Sequence, residues 1–139
     1  MADRIAAIQL VVRDYDEAIA FYRDRLDFTL VEDIDQPDQA KRWVTMRPAG
    51  NDGPAIVLGR PSSPEQAAFI GNQTGGRVAF FLATDDFDRR FATFTARGVR
   101  FVREPKVEPY GVVAVFADLY GNLWDLVQFV PHHPMSTSP

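Results

Sequence analysis

The 139-residue chain carries an internal repeat, and that repeat constrains the fold more than any single motif does. Asp14-Tyr15-Asp16 returns as Asp86-Phe87-Asp88, a spacing of 72 residues (14 against 86). Asp52-Gly53-Pro54-Ala55-Ile56-Val57-Leu58 lies over Tyr120-Gly121-Asn122-Leu123-Trp124-Asp125-Leu126, a spacing of 68 (53 against 121). A spacing that drifts by a few residues is the trace of a duplicated unit with small gaps.

Each copy reads as β-α-β-β-β. In the first, Ile5 to Val12 is apolar except for Gln9. It alternates as a strand, with Ile8, Leu10 and Val12 on one face and Ala7, Gln9 and Val11 on the other. Asp14 caps a helix whose first turn is acidic. Tyr15, Ile19, Tyr22 and Leu26 form its apolar stripe, which ends near Leu26-Asp27. Phe28 to Val31, Trp43 to Met46 and Ala55 to Leu58 read as strands. Polar Asp33 to Lys41, with Pro37, reads as a loop, and 48–53 as a turn. In the second copy Val78 to Ala83 is a strand and Asp85-Asp86 a cap. Phe87, Phe91 and Phe94 form the stripe, and Gly98 stops the helix. Val99 to Val102, Val112 to Phe116 and Leu123 to Val130 are strands. Arg60 to Gly76 joins the copies, with Pro64 to Ile70 able to form a short helical turn.

One helix covers one face of a four-stranded sheet, so the other faces must meet each other or enclose something. Strand alternation places Gln9, Val11, Trp43, Thr45, Arg77, Ala79, Phe81, Asp125 and Val127 toward such a cleft, joined by Tyr110 at a loop tip and Phe116 near a strand end. Asp118 with Gly121-Asn122 makes a turn before the last strand. Asp125 then stands in the middle of an apolar run. It faces either solvent at a sheet edge or a cavity that the sheet encloses. The aromatic stripes of both helices read as core, and Trp124, alternating with Asp125, packs under its helix.

Composition narrows the function. The length suits one domain. The absence of cysteine removes disulfides, thiolate nucleophiles and thiolate metal sites, and the net charge of −4 argues against nucleic acid. The chain shows no signal-peptide pattern and no apolar run of membrane-spanning length, which suggests a cytoplasmic protein away from membranes. Both histidines, His132 and His133, fall in a Pro- and Ser-rich tail, so a serine–histidine nucleophile has no well-held base.

These features resemble the vicinal-oxygen-chelate superfamily, the glyoxalase, bleomycin-resistance and extradiol dioxygenase group. The resemblance rests on Leu10-Val11-Val12-Arg13-Asp14, on Ala18-Ile19-Ala20-Phe21-Tyr22 and on Asp118-Leu119-Tyr120-Gly121-Asn122, and covers about Arg4 to Val130. Leu119-Tyr120 departs from the Pro-Asp common there. The resemblance implies an α+β fold of two βαβββ modules whose curved sheets enclose a cleft, usually in a homodimer. It suggests one domain over 1–130, with modules at about 4–59 and 77–130 and a linker at 60–76, while the Pro- and Ser-rich 131–139 reads as a disordered tail. Enzymes of the group hold a divalent ion through His and Glu from four strands. Those positions fall at Ala7, Val57, Arg77 and Asp125, of which only Asp125 offers a lone pair. The expectation is a metal-free protein without cofactor that binds and sequesters a small molecule such as a drug or metabolite. A lyase, isomerase or dioxygenase with a non-standard site is the alternative, and no catalytic residue is assigned. The expected ligand-binding residues are Gln9, Trp43, Thr45, Arg77, Phe81, Tyr110 and Asp125. Arg77 and Asp125 are expected to form an ion pair in the place of the metal.

Overall fold

The computed structural model describes residues 1–50 and 53–137. Asn51 and Asp52, where one of the repeat matches begins, and Ser138 and Pro139 of the tail lie outside the described residues. The chain forms two compact units, Met1–Gln73 and Thr74–Pro139.

The first unit runs β1 (Ala7–Val11), α1 (Tyr15–Asp24), β2 (Phe28–Gln36), a 3-10 turn (Pro37–Gln39), β3 (Lys41–Pro48), β4 (Ala55–Gly59) and the short α2 (Pro64–Ala67). Its sheet is ordered β1-β4-β3-β2. β1 lies parallel to β4, and the remaining pairs are antiparallel. Asp14 caps α1 as its position suggests: its backbone is extended and its carboxylate accepts from Glu17 N–H at 2.9 Å. Leu10, Val44 and Leu58 are cross-strand neighbours and almost wholly buried, as are Tyr22 and Ile19 of the α1 stripe. Each such side chain stabilises the unit by roughly 1.5–3 kcal/mol. The opposite, helix-free face carries Gln9, Val57 and Thr45, which are register partners across β1, β4 and β3.

The second unit repeats the plan with β5 (Val78–Ala83), α3 (Phe87–Ala96), β6 (Arg100–Glu108), β7 (Gly111–Ala117) and β8 (Leu123–Phe129), in the order β5-β8-β7-β6. Even an irregularity is duplicated. The edge strands β2 and β6 each slip register by one residue, between Leu30 and Glu32 and between Phe101 and Arg103. The Asp118 carboxylate, itself buried, accepts from the N–H groups of Tyr120 and Asn122 at 3.0 and 2.9 Å. This Asx turn, with Gly121 at φ 97°, sets up the entry to β8. Together the two units make the α+β, twice βαβββ architecture expected from the repeat.

Two expectations are corrected. Asp33 to Lys41 is not a loop: β2 continues to Gln36 and β3 begins at Lys41, with only Pro37–Gln39 turning between them. The polar residues suit an edge strand, and Asp33 and Arg42 bind each other across the pair at 2.7 and 3.1 Å. Phe116 does not face a cleft. It is fully buried and packs against Phe94 of α3, Phe101 and Trp124. Trp124 is likewise buried, stacked on Phe80 at 4.4 Å, on the helix side as its alternation with Asp125 requires.

Candidate functional site

A hollow of about 460 Å³ opens in the first unit. Its floor comes from the helix-free side of the sheet, through Gln9 and Val57, and the segment after β4 supplies Arg60, Pro61 and Ser62. Trp43 of β3 forms an aromatic wall and is 39% exposed. Its indole N–H donates to Glu32 Oε2 at 2.9 Å, and the same oxygen accepts from the hydroxyl of Thr45 at 2.9 Å. Thr45 is buried, so this carboxylate links a fixed sheet position to the ring and holds the ring's orientation. Gly59 leaves room for Gln9: a β-carbon there would collide with the Gln9 side-chain amide. Gln36 also lines the hollow, and its Oε1 is shut away from solvent with no partner among the described residues. An unsatisfied buried acceptor costs about 1–3 kcal/mol.

The mouth is cationic, with Lys41, Arg42 and Arg60. Arg42 is held by Asp16 of α1 at 2.9 Å and by Asp33 of β2 at 2.7 Å. Hydrogen bonding to Asp33, then to Asp16, holds its proton more firmly than usual. The same Arg42 contact lowers the Asp33 pKa. The guanidinium groups of Arg42 and Arg60 lie over the buried Tyr15 ring at 5.2 and 5.4 Å from its centroid.

Of the residues expected at a site, Gln9 and Trp43 meet in this hollow and Thr45 supports Trp43 through Glu32. Phe81, Tyr110 and Asp125 belong to the second unit. Phe81 is 64% exposed and is the register partner of Asp125. Asp125 is half-buried, and burial pushes its carboxyl above the usual carboxylate range, with Arg103 opposing the shift. Burial also raises the Tyr110 hydroxyl, helped by the charges of Glu108 and Asp125.

The Arg77–Asp125 ion pair is not formed: Arg77 is exposed, and no ion pair joins the two among the described residues. The reason is a bulge. Register slips between Val78 and Phe80, so Ala79 is the extra residue, and Val78 opposite Leu123 takes the Asp125 face. Alternation counted through an unseen bulge puts every earlier residue on the wrong side.

The residues present do not fit the family's metal ion. Ala7 and Val57 carry no donor, Arg77 is a cation turned to solvent, and Asp125 alone remains. Among the described residues no three His, Cys, Asp or Glu side chains are placed to share an ion. The His133 ring stacks on Phe129 at 4.4 Å while its Nδ1 accepts from Met135 N–H.

Sequence reasoning missed Glu32, Gln36, Arg42 and Arg60. One of them, Gln36, lay inside the polar stretch read as a loop, and Glu32 and Arg42 flank it. Once that stretch is taken as a strand, Glu32 lies opposite Thr45 and diagonal to Trp43, and Asp33 lies opposite Val44 and diagonal to Arg42.

The fold is a twice-repeated βαβββ unit, and its described residues do not supply the group's metal-ligand set. The chain belongs to the Glyoxalase/Bleomycin resistance protein/Dioxygenase superfamily, whose model matches residues 4–126. It is 53% identical over 135 residues to an uncharacterized protein of Shewanella frigidimarina, covering 97% of this chain and all of that one. Its structure is similar to that of UcmS2, with a TM-score of 0.79, 28% identity and coverage of 91% of this chain and 98% of that one. It is also similar to TnmS3, described as an antibiotic binding protein from Streptomyces sp. CB03234. That likeness has a TM-score of 0.74 and 30% identity, over 93% of this chain and 98% of that one.

Proposed function

We propose that the chain is a metal-free small-molecule-binding protein that holds its ligand in the hollow of the first unit, against Trp43. The observation that carries this reading is the hollow of about 460 Å³, in the size range of small-molecule pockets, walled by a hydrogen-bonded indole. The description of TnmS3 as an antibiotic binding protein supports a sequestering role for a drug or metabolite. The protein acts in the cytoplasm as a homodimer, without nucleic-acid or membrane partners. Apolar side chains left open on sheet strands, Ile8 at 46% and Phe81 at 64% exposure, support association. Among the described residues no helix is long and apolar enough to cross a membrane.

The test is a thermal-stability screen of untagged protein against aromatic small molecules and divalent metals, with metal analysis of the purified material. A ligand that binds only the native state raises the melting temperature by mass action. Stabilisation by aromatic compounds without bound metal is the expected result. Stoichiometric metal would replace this reading with a metalloenzyme.

A second reading is supported by the raised carboxyl of Asp125 beside Tyr110: a lyase, isomerase or dioxygenase of non-standard chemistry using Asp125 as base. Turnover of a bound compound, abolished in Asp125→Asn, would favour it.

A further inference from the structure

We propose that this hollow takes a planar aromatic anion, its ring against Trp43 and its acid group at the mouth between Lys41 and Arg60; the proposal rests on the binding reading above. The charge of the lining is the first argument. The chain as a whole carries a net charge of −4, yet among the described residues the hollow is lined by three cations and no carboxylate.

Arg42 is already committed, with one terminal nitrogen on Asp16 and the other on Asp33. Lys41 and Arg60 are different: neither has an ion pair among the described residues. Arg60 rests over the Tyr15 ring, and that contact positions the guanidinium while leaving its fork of N–H donors available. An Arg fork and a Lys point charge at one rim suit a carboxylate. A cationic ligand would meet only like charge among the ionised groups lining this hollow, and a neutral one would gain nothing from it.

The Trp43 end has the opposite character. Glu32 accepts the indole N–H at the edge of the ring and does not line the hollow. This arrangement orients the ligand, with the apolar ring toward Trp43 and the acid group away from Glu32. An adjoining hollow of about 240 Å³ shares Lys41, Arg42 and Arg60 but also has Asp14, Asp16 and Asp35 in its wall. Its charge is balanced, so the preference belongs to the larger hollow.

The experiment compares 2-naphthoate with its neutral isostere 2-naphthamide, titrated by calorimetry into the full chain. The acid should bind about tenfold more tightly at low salt, as two exposed cations allow, and the gap should shrink as added salt screens the mouth. The double variant Lys41→Gln/Arg60→Gln should lose the preference for the acid over the amide. If that variant is unstable, each single substitution should lower the preference by part of the same factor. Equal affinity of wild type for both probes would overturn the anion assignment and leave the binding reading standing. A preference that survives both substitutions would place the anion elsewhere and overturn it too. If neither probe binds, or Trp43→Ala changes neither affinity, the binding reading itself fails.

Discussion

Replacing Trp43 by alanine separates a ligand-facing wall from an ordinary core aromatic. The ring is 39% exposed. A Trp side chain has up to roughly 250 Å² to bury, so a ligand laid on the open part covers about 100 Å². At about 25 cal/mol per Å² this is worth at most ~2.5 kcal/mol, and imperfect contact brings the expected loss on truncation to about 1–2.5 kcal/mol. In affinity that is a factor of roughly 5 to 60. The fold should survive, because the wild-type ring is not enclosed and its bond to the Glu32 carboxylate contributes about 1.5–3 kcal/mol, less than the roughly 5–15 kcal/mol of a typical domain. Isothermal calorimetry with 2-naphthamide measures the loss without involving the charged mouth, and circular dichroism reports the fold. Trp43→Phe keeps most of the aromatic area but cannot donate to Glu32, so it should lose less. Unchanged affinity in the alanine variant would refute the wall, and an unfolded one would show that the ring is structural.

Three further outcomes are expected. Gly59→Ala should stay folded but weaken binding several-fold by calorimetry, since the new β-carbon meets the mobile end of Gln9 and displaces that amide within the hollow. Phe116→Ala should cost about 3–5 kcal/mol in chemical denaturation, the value for a fully buried aromatic and far above what a cleft residue would show. Asp125→Asn should raise the melting temperature at neutral pH and not at acid pH. The folded carboxyl titrates above its unfolded value, so its ionised form costs stability. That cost is absent below the unfolded pKa, grows as pH rises through the folded one, and is removed by the amide. A thermal denaturation series across pH would contradict the burial argument if the gain were the same at all pH values.

The duplication, the strand and helix stripes and the missing donors at Ala7 and Val57 were legible in the chain, because side-chain period and donor chemistry are local properties. The Asp14 and Asp86 caps and the Asp118 turn were legible for the same reason: each is closed by side-chain bonds to backbone a few residues away. What the chain alone did not determine lies where register matters. A single bulged residue, Ala79, moved Arg77 off the face of Asp125, and no local pattern announces such a slip. The polar run from Asp33 to Lys41 looked like a loop because its partners are supplied across the strand pair; only pairing brought Asp33 to Arg42 and, beside that run, Glu32 to Trp43 and Thr45. The hollow itself was decided by tertiary structure. It depends on Gly59 leaving space for Gln9 and on Arg60 lying over Tyr15, contacts between residues 50 and 45 positions apart in sequence (9 against 59, 15 against 60).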